Sequence, residues 1–208
     1  MREAFFNSLY SIARKDKNVI LLTADIGATC HDKFKRLLPR QYINMGVAEQ
    51  NMIGVASGLA LSGKKVYAYT IIPFLVMRCY EQIRVDICCM NLPVTLVGIG
   101  AGLDYSTLGP THHAAEDISI MRALPSMTVY SPSDNLSACA LAEETYKNSF
   151  PQYIRLDRVG FPLVYDFKKK INFKSGFSIL KNGKIAYIIA TGRMVFSALR
   201  VAKAISSK

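Results

Sequence analysis

The stretch Val94-Thr-Leu-Val-Gly-Ile-Gly-Ala-Gly-Leu-Asp-Tyr-Ser-Thr-Leu-Gly-Pro-Thr-His-His113 decides how the chain folds. Its first six residues carry no charge, and a glycine-rich loop follows at once, leading to Glu116 and Asp117, the acidic opening of a helix. A strand without polar alternation is covered on both faces, the condition of a parallel strand between helical layers. Val19-Ile-Leu-Leu-Thr23 reads the same way. Working outward, short β-rich runs at 18–23, 41–44, 65–70, 94–99, 127–130 and 152–156 alternate with helical patterns at 2–15, 31–38, 47–61, 74–89, 116–123 and 133–148. The alternation predicts an α/β fold, a doubly wound and mostly parallel sheet with helices on both faces. Such a sheet places ligands beyond the carboxyl ends of its strands.

The composition changes after Arg158-Val-Gly-Phe-Pro162. A basic, irregular stretch leads to a further strand expected at 184–190, then Thr191-Gly192 and a helix from Arg193. The chain therefore divides into a first domain, 1–165, and a segment, 166–208, that reads as a linker and the start of a truncated second α/β domain. One strand and one helix cannot bury a core alone, so this segment is expected to be cut short or to pack on a partner.

Half of the 208 residues are hydrophobic and a fifth are charged, which excludes disordered and fibrous classes. No apolar run approaches the roughly 20 residues of a bilayer crossing, and the first residues read as a helix rather than a leader; no membrane contact is expected. Five cysteines, an odd number with no CxxC pair, fit reduced thiols in a cytoplasmic protein. The net charge of +11 is uneven: residues 1–166 hold 16 basic and 15 acidic groups, and residues 167–208 hold 10 basic and none acidic. A neutral body, and few aromatics interleaved in the basic tail, predict no nucleic-acid partner.

Chemistry concentrates in four places. In Asn44-Met-Gly-Val-Ala-Glu-Gln-Asn-Met-Ile-Gly-Val-Ala-Ser-Gly-Leu-Ala-Leu-Ser-Gly63, Glu49 is the one carboxylate among small and apolar residues. A desolvated carboxylate favours its protonated form and can share a proton with a ring nitrogen; a first-turn glutamate can equally complement the helix dipole. Gly54 and Gly58 share a face open to another helix. Phe74, Met77 and Tyr80 fall near one helical face, as core or as an aromatic pocket. His112 and His113 lie in the loop, where histidines serve as structural groups or as proton carriers. Arg158, with Arg155 as second choice, offers the planar donors that grip phosphate, and Asp25 sits in a turn after the first strand.

The run GVAEQNMIGVASGLALSGKKVYAYT closely resembles the glutamate-bearing motif of the transketolase family's pyrimidine-binding domain. FLVMRCYEQIRVDI, GPTHHAAEDISIMRALPSMTVYSPSD and YIRLDRVGFP follow in the family's order, and the form most resembled is the carboxyl-terminal subunit of split bacterial transketolases. The resemblance implies a thiamine diphosphate-binding fold in which Glu49 hydrogen-bonds N1′ of the aminopyrimidine and relays a proton. Phe74 and Tyr80 would line the pocket of that ring, with Met77 where many relatives carry the stacking aromatic. His112 would face the reacting carbon as donor and proton shuttle, Arg158 would bind substrate phosphate, and His113 would contact substrate; Asp104 and Tyr105 of the same loop are the candidates to replace sugar-reading groups that the chain lacks. Gly100 and Leu108 stand where ordinary transketolases have a histidine and an aspartate that read sugar hydroxyls, so a changed selectivity is implied.

No GDG segment occurs in the chain, so no metal ligand is expected here. The resemblance places the ligands for Mg²⁺ and the diphosphate on a separate amino-terminal, transketolase-like subunit. A homodimer of pyrimidine domains or a heterotetramer is implied, active only when assembled. The implied activity is transfer of a two-carbon ketol unit between sugar or sugar-phosphate substrates. Alternatives are a 1-deoxyxylulose 5-phosphate synthase-like condensation, ketol transfer on an unusual sugar, and a non-catalytic assembly or regulatory subunit.

Overall fold

The computed structural model describes residues 1–167 and 171–206. Six strands form one all-parallel sheet in the order β2-β1-β3-β4-β6-β5. They are β1 (Val19–Thr23), β2 (Tyr42–Asn44), β3 (Lys65–Ile71), β4 (Val94–Ile99), β5 (Thr128–Tyr130) and β6 (Gln152–Leu156). All six strands expected between residues 18 and 156 are present. Two interior strands, β1 and β4, are buried along their whole length, as their uninterrupted apolar sequence requires.

Alternate residues of each strand feed two cores. Ile20, Leu22, Val66, Ala68, Leu96 and Tyr153 point to the layer made by α3 (Glu49–Leu61), the helical segment after β3 and α5 (Asp117–Arg122). Val19, Leu21, Tyr67, Tyr69, Val97 and Ile154 point to the opposite layer, which includes α1 (Arg2–Ala13), α2 (Asp32–Leu37) and α6 (Asn135–Lys147). Two helical layers on a parallel sheet make the expected doubly wound arrangement. A capping box starts α6, with Ser137 N–H donating to Asp134 Oδ1 at 2.8 Å.

The helix expected at 74–89 is broken into a wide turn at Pro73–Met77, a short helix α4 (Tyr80–Gln82) and a second wide segment at Ile83–Cys89. Arg78 N–H bonds back five residues to the Pro73 carbonyl at 3.1 Å. A π-type turn of this kind inserts one residue and advances the phase of the side chains. Its effect on the site is described below.

The strand expected at 184–190 does not form. Ile185, Tyr187 and Ile189 are almost fully exposed, and no described strand lies alongside to complete its hydrogen bonds, so β-propensity alone does not make a ladder. The helix expected from Arg193 is present as α7 (Met194–Ser206). Val164 and Tyr165 are fastened to the start of α6, their N–H groups donating to Asp134 Oδ2 at 2.9 and 3.1 Å. Lys168, Lys169, Lys170 and Lys208 of the basic tail lie outside the described residues.

Candidate active site

Of the connections that leave the carboxyl edge of the parallel sheet, those after β2, β3, β4 and β6 carry most residues singled out from the sequence. Glu49 opens α3 and is only 3% exposed. Its Oε2 accepts from Arg78 Nη1 at 2.6 Å, a charge-assisted bond to a side chain that is itself 44% exposed. The Arg78 guanidinium lies over the Phe74 ring, 4.5 Å from its centroid. Phe74 in turn meets His112 edge to face, with ring centroids 5.0 Å apart. Tyr105 follows at 5.8 Å from His112, and the Arg158 guanidinium covers the Tyr105 ring at 4.4 Å. A continuous file thus runs from Glu49 through Arg78, Phe74, His112 and Tyr105 to Arg158, joining residues that are 109 positions apart in sequence.

The wide turn after β3 builds the first half of this file. It places Arg78 above Phe74, and Gln50 Nε2 of α3 donates to the Arg78 carbonyl at 3.2 Å, fixing that segment to the helix that carries Glu49. The same change of phase turns Met77 and Tyr80 toward the core beneath α3 and α5. Tyr80 remains close to the site but spends its hydroxyl on the Ile120 carbonyl at 2.9 Å. Sequence reasoning misses Arg78; the signal that could find it is a lone charge inside the apolar run Phe74-Leu-Val-Met-Arg-Cys-Tyr80.

His112 Nδ1 pairs with the Thr111 hydroxyl at 3.0 Å, and Nε2 makes no hydrogen bond among the described residues. His113 Nε2 lies 3.3 Å from the Ser106 carbonyl, inside the loop. Asp104 is a fastener of that loop: its Oδ2 accepts from the Arg158 backbone N–H at 2.8 Å and its Oδ1 from Arg193 Nη1 at 2.9 Å. Arg155 stands below the file and is committed to Asp117, through Nε to Oδ2 at 2.8 Å and Nη2 to Oδ1 at 3.1 Å. Asp25, at φ +48°, exchanges hydrogen bonds with Asn44 and shapes the turn after β1.

The residues present suit an aromatic ring bearing a basic nitrogen, since a buried carboxylate and an aromatic face stand side by side. Among the described residues no three His, Cys, Asp or Glu side chains gather as a metal cage. Cys79, beside Glu49, is no nucleophile: burial, then the Glu49 charge, pushes its thiol up to about 12.

Asp157, one residue before Arg158, is 2% exposed. Burial, then the nearby Asp104 carboxylate, pushes its pKa up to about 6 against the opposing pull of Arg155, Arg193 and the terminal amine. A carboxyl raised from about 4 in the unfolded chain binds more protons when folded. Its destabilising charge is therefore fully present above pH 6 and is relieved as pH falls from 6 toward 4. Asp157→Asn is expected to stabilise the chain by about 2 kcal/mol at pH 8 and to change little at pH 4. Denaturant melts at the two pH values check the sign and the difference.

Fold and geometry together define an α/β domain of the doubly wound class, with the candidate site along the carboxyl edge of its parallel sheet. The family model for the transketolase pyrimidine-binding domain matches residues 1–162, and the chain belongs to that family. A subunit of the apulose-4-phosphate transketolase of Phocaeicola vulgatus is 34% identical over 199 residues, covering 95% of this chain and 64% of the relative. The 6-deoxy-6-sulfo-D-fructose transketolase subunit SqwH of Clostridium sp. (strain MSTE9) is 35% identical over 210 residues, covering 100% and 65%. The chain thus spans a little under two thirds of the length of these curated relatives. A solved split-gene transketolase, described as an inactive beta4 tetramer, superposes with a TM-score of 0.88 at 35% identity, over 99% of this chain and 67% of that one.

Proposed function

We propose that this chain supplies the pyrimidine-binding half of a thiamine diphosphate-dependent transketolase-like transferase, which moves a two-carbon ketol unit between sugar substrates. The observation that carries the reading is the file from Glu49 to Arg158: a buried carboxylate, an aromatic ring, a histidine and an unneutralised arginine in that order along one sheet edge. When bound, thiamine diphosphate supplies the electron sink for breaking the bond beside a ketose carbonyl.

Glu49 holds or releases a proton at Oε2 once an incoming ring nitrogen has taken the place of Arg78 on that oxygen, the half-exposed guanidinium turning to solvent as it is displaced. Phe74 gives the ring an apolar wall. His112 offers Nε2 to the reacting oxygen as donor and acceptor, with Thr111 fixing its orientation. Arg158 presents its free edge to a terminal anion. That assignment is supported by two relatives named for sugars ending in a phosphate or a sulfonate. Tyr80 lines the floor, and His113 and Asp104 hold the substrate loop in shape.

The partner proposed is an amino-terminal transketolase-like subunit with a GDG segment that ligates Mg²⁺ and the diphosphate. The outer face of α3, on the side of the helix away from buried Glu49, is open to it: a Cβ built on Gly54 or Gly58 meets nothing within 4 Å. Val47, Leu103 and Leu108 stand exposed around the file, as a surface awaiting cover does. A second reading, 1-deoxyxylulose 5-phosphate synthase-like condensation, is favoured by a synthase of Microcystis aeruginosa that is 32% identical over 209 residues, 32% of its length.

The test mixes the chain with its GDG-bearing partner, Mg²⁺ and thiamine diphosphate. Formation of a two-carbon-extended sugar from a ketose phosphate and an aldose is the expected result. Product only with pyruvate as donor would favour the synthase reading. A complex that assembles yet transfers nothing from either donor would leave an assembly role.

A further inference from the structure

Tyr105 occupies the middle of the file, and its position is forced. Gly100, at the end of β4, has φ +93°, and a Cβ there would collide with the Tyr105 ring. Ring and side chain at 100 are therefore mutually exclusive, and the chain has spent that space on an aromatic face. One neighbour of this face is His112, with planes inclined at 60°. The other is the Arg158 guanidinium, parked on the ring and tied by Nη1 to the Asp104 carbonyl at 3.3 Å.

Among the described residues no carboxylate pairs with the Arg158 guanidinium. Asp104, whose carbonyl accepts from Nη1, gives its two carboxylate oxygens to the Arg158 backbone and to Arg193. Arg158 is thus exposed, oriented by an aromatic face and a carbonyl, and left with its full charge. An arginine held in this way keeps its donors for an incoming anion, because orientation comes without neutralisation.

We propose that Tyr105 is the positioning residue that sets substrate specificity: it fixes Arg158 one aromatic ring away from His112, so that the site selects a ketose ending in a phosphate or sulfonate group. The inference rests on the function proposed above. A polar residue in place of Tyr105 would leave Arg158 to swing, and the discrimination between charged and uncharged sugars would fall.

The experiment uses the assembled enzyme with Tyr105→Met, which fills similar volume without an aromatic face, and with Tyr105→Phe and Arg158→Ala. A cation–π contact of this kind corresponds to about a tenfold change in binding. Tyr105→Met is expected to raise KM for a ketose phosphate about tenfold, to leave its kcat within about threefold and to leave KM for the uncharged ketose in place. Tyr105→Phe is expected to restore the lower KM, and inorganic sulfate should inhibit Tyr105→Met less strongly than wild type. An equal loss on charged and uncharged ketoses overturns the inference. So does a loss with Arg158→Ala that Tyr105→Met does not share. No loss with Arg158→Ala overturns the anion-binding reading itself, and the inference with it.

Discussion

Glu49→Gln is expected to lower turnover of the assembled enzyme by about 10²- to 10⁴-fold, the range carried by one positioned proton-transfer group, while the chain stays folded. The amide has the shape of the carboxylate, and its oxygen can still accept from Arg78 Nη1, which now lies 2.6 Å from Oε2. What disappears is the group that can hold a proton there. The charge left on Arg78 is not stranded, because that side chain is 44% exposed and the Phe74 ring still lies beneath it at 4.5 Å. Breaking a buried pair is costly when the surviving ion has no water, and here it has. Thermal melts of wild type and variant should therefore agree within a few degrees, and the activity loss is the readout. Loss of folding in step with loss of activity would make Glu49 a structural residue.

Arg155→Ala makes the opposite prediction, a large loss of stability. Asp117 is fully buried at the start of α5. It accepts two bonds from Arg155, and a third from the Tyr153 hydroxyl at 2.6 Å. This is a buried charge held by a fork and a phenol beneath the candidate site. Removing the guanidinium leaves a carboxylate in the sheet–helix layer with one neutral donor, at a cost of about 3–5 kcal/mol. For a chain of this size that corresponds to roughly 6–20 °C in Tm. Arg155→Ala with Asp117→Asn should recover part of the loss, since no unpaired charge then stays buried. A single-variant shift of only a degree or two would show that the pair contributes nothing.

How much of the molecule is legible in the sequence varies with the physics of each part. The strands are, because a run such as Val94–Ile99 has no other way to satisfy both its backbone and its apolar surface than a covered parallel sheet. So is Glu49, whose isolation among alanines and glycines already requires a dry setting. The segment after β3 is not. A period of 3.6 puts Phe74, Met77 and Tyr80 on one face, but Arg78 N–H bonds to Pro73 rather than to Phe74. The resulting extra residue per turn brings up Arg78 and sends Tyr80 toward Ile120. Long-range pairings are equally hidden: nothing local in Asp104 announces Arg193, 89 positions away. The expected strand at 184–190 fails for the complementary reason, since apolar residues make a strand only where a neighbour offers hydrogen bonds.

The last strand of the sheet ends at Leu156 and the family match at residue 162. We propose that residues 166–208 form a connector whose exposed Ile185, Tyr187 and Ile189 are covered in the assembled protein. The contact between Arg193 and Asp104 then ties that connector to the loop bearing Tyr105 and His112. No helix among the described residues is long and apolar enough to cross a membrane.

The proposed catalysis turns on proton exchange between Glu49 and the aminopyrimidine, and substrate identity can be bypassed in testing it. In the chain assembled with its partner and Mg²⁺, the exchange of the thiazolium C2 proton of added thiamine diphosphate with deuterated water can be followed by quenched-flow NMR. Fast exchange is expected with the wild-type chain, and a rate about 10²- to 10⁴-fold lower with Glu49→Gln. Equal exchange rates in the two complexes would contradict a proton-relaying role for Glu49.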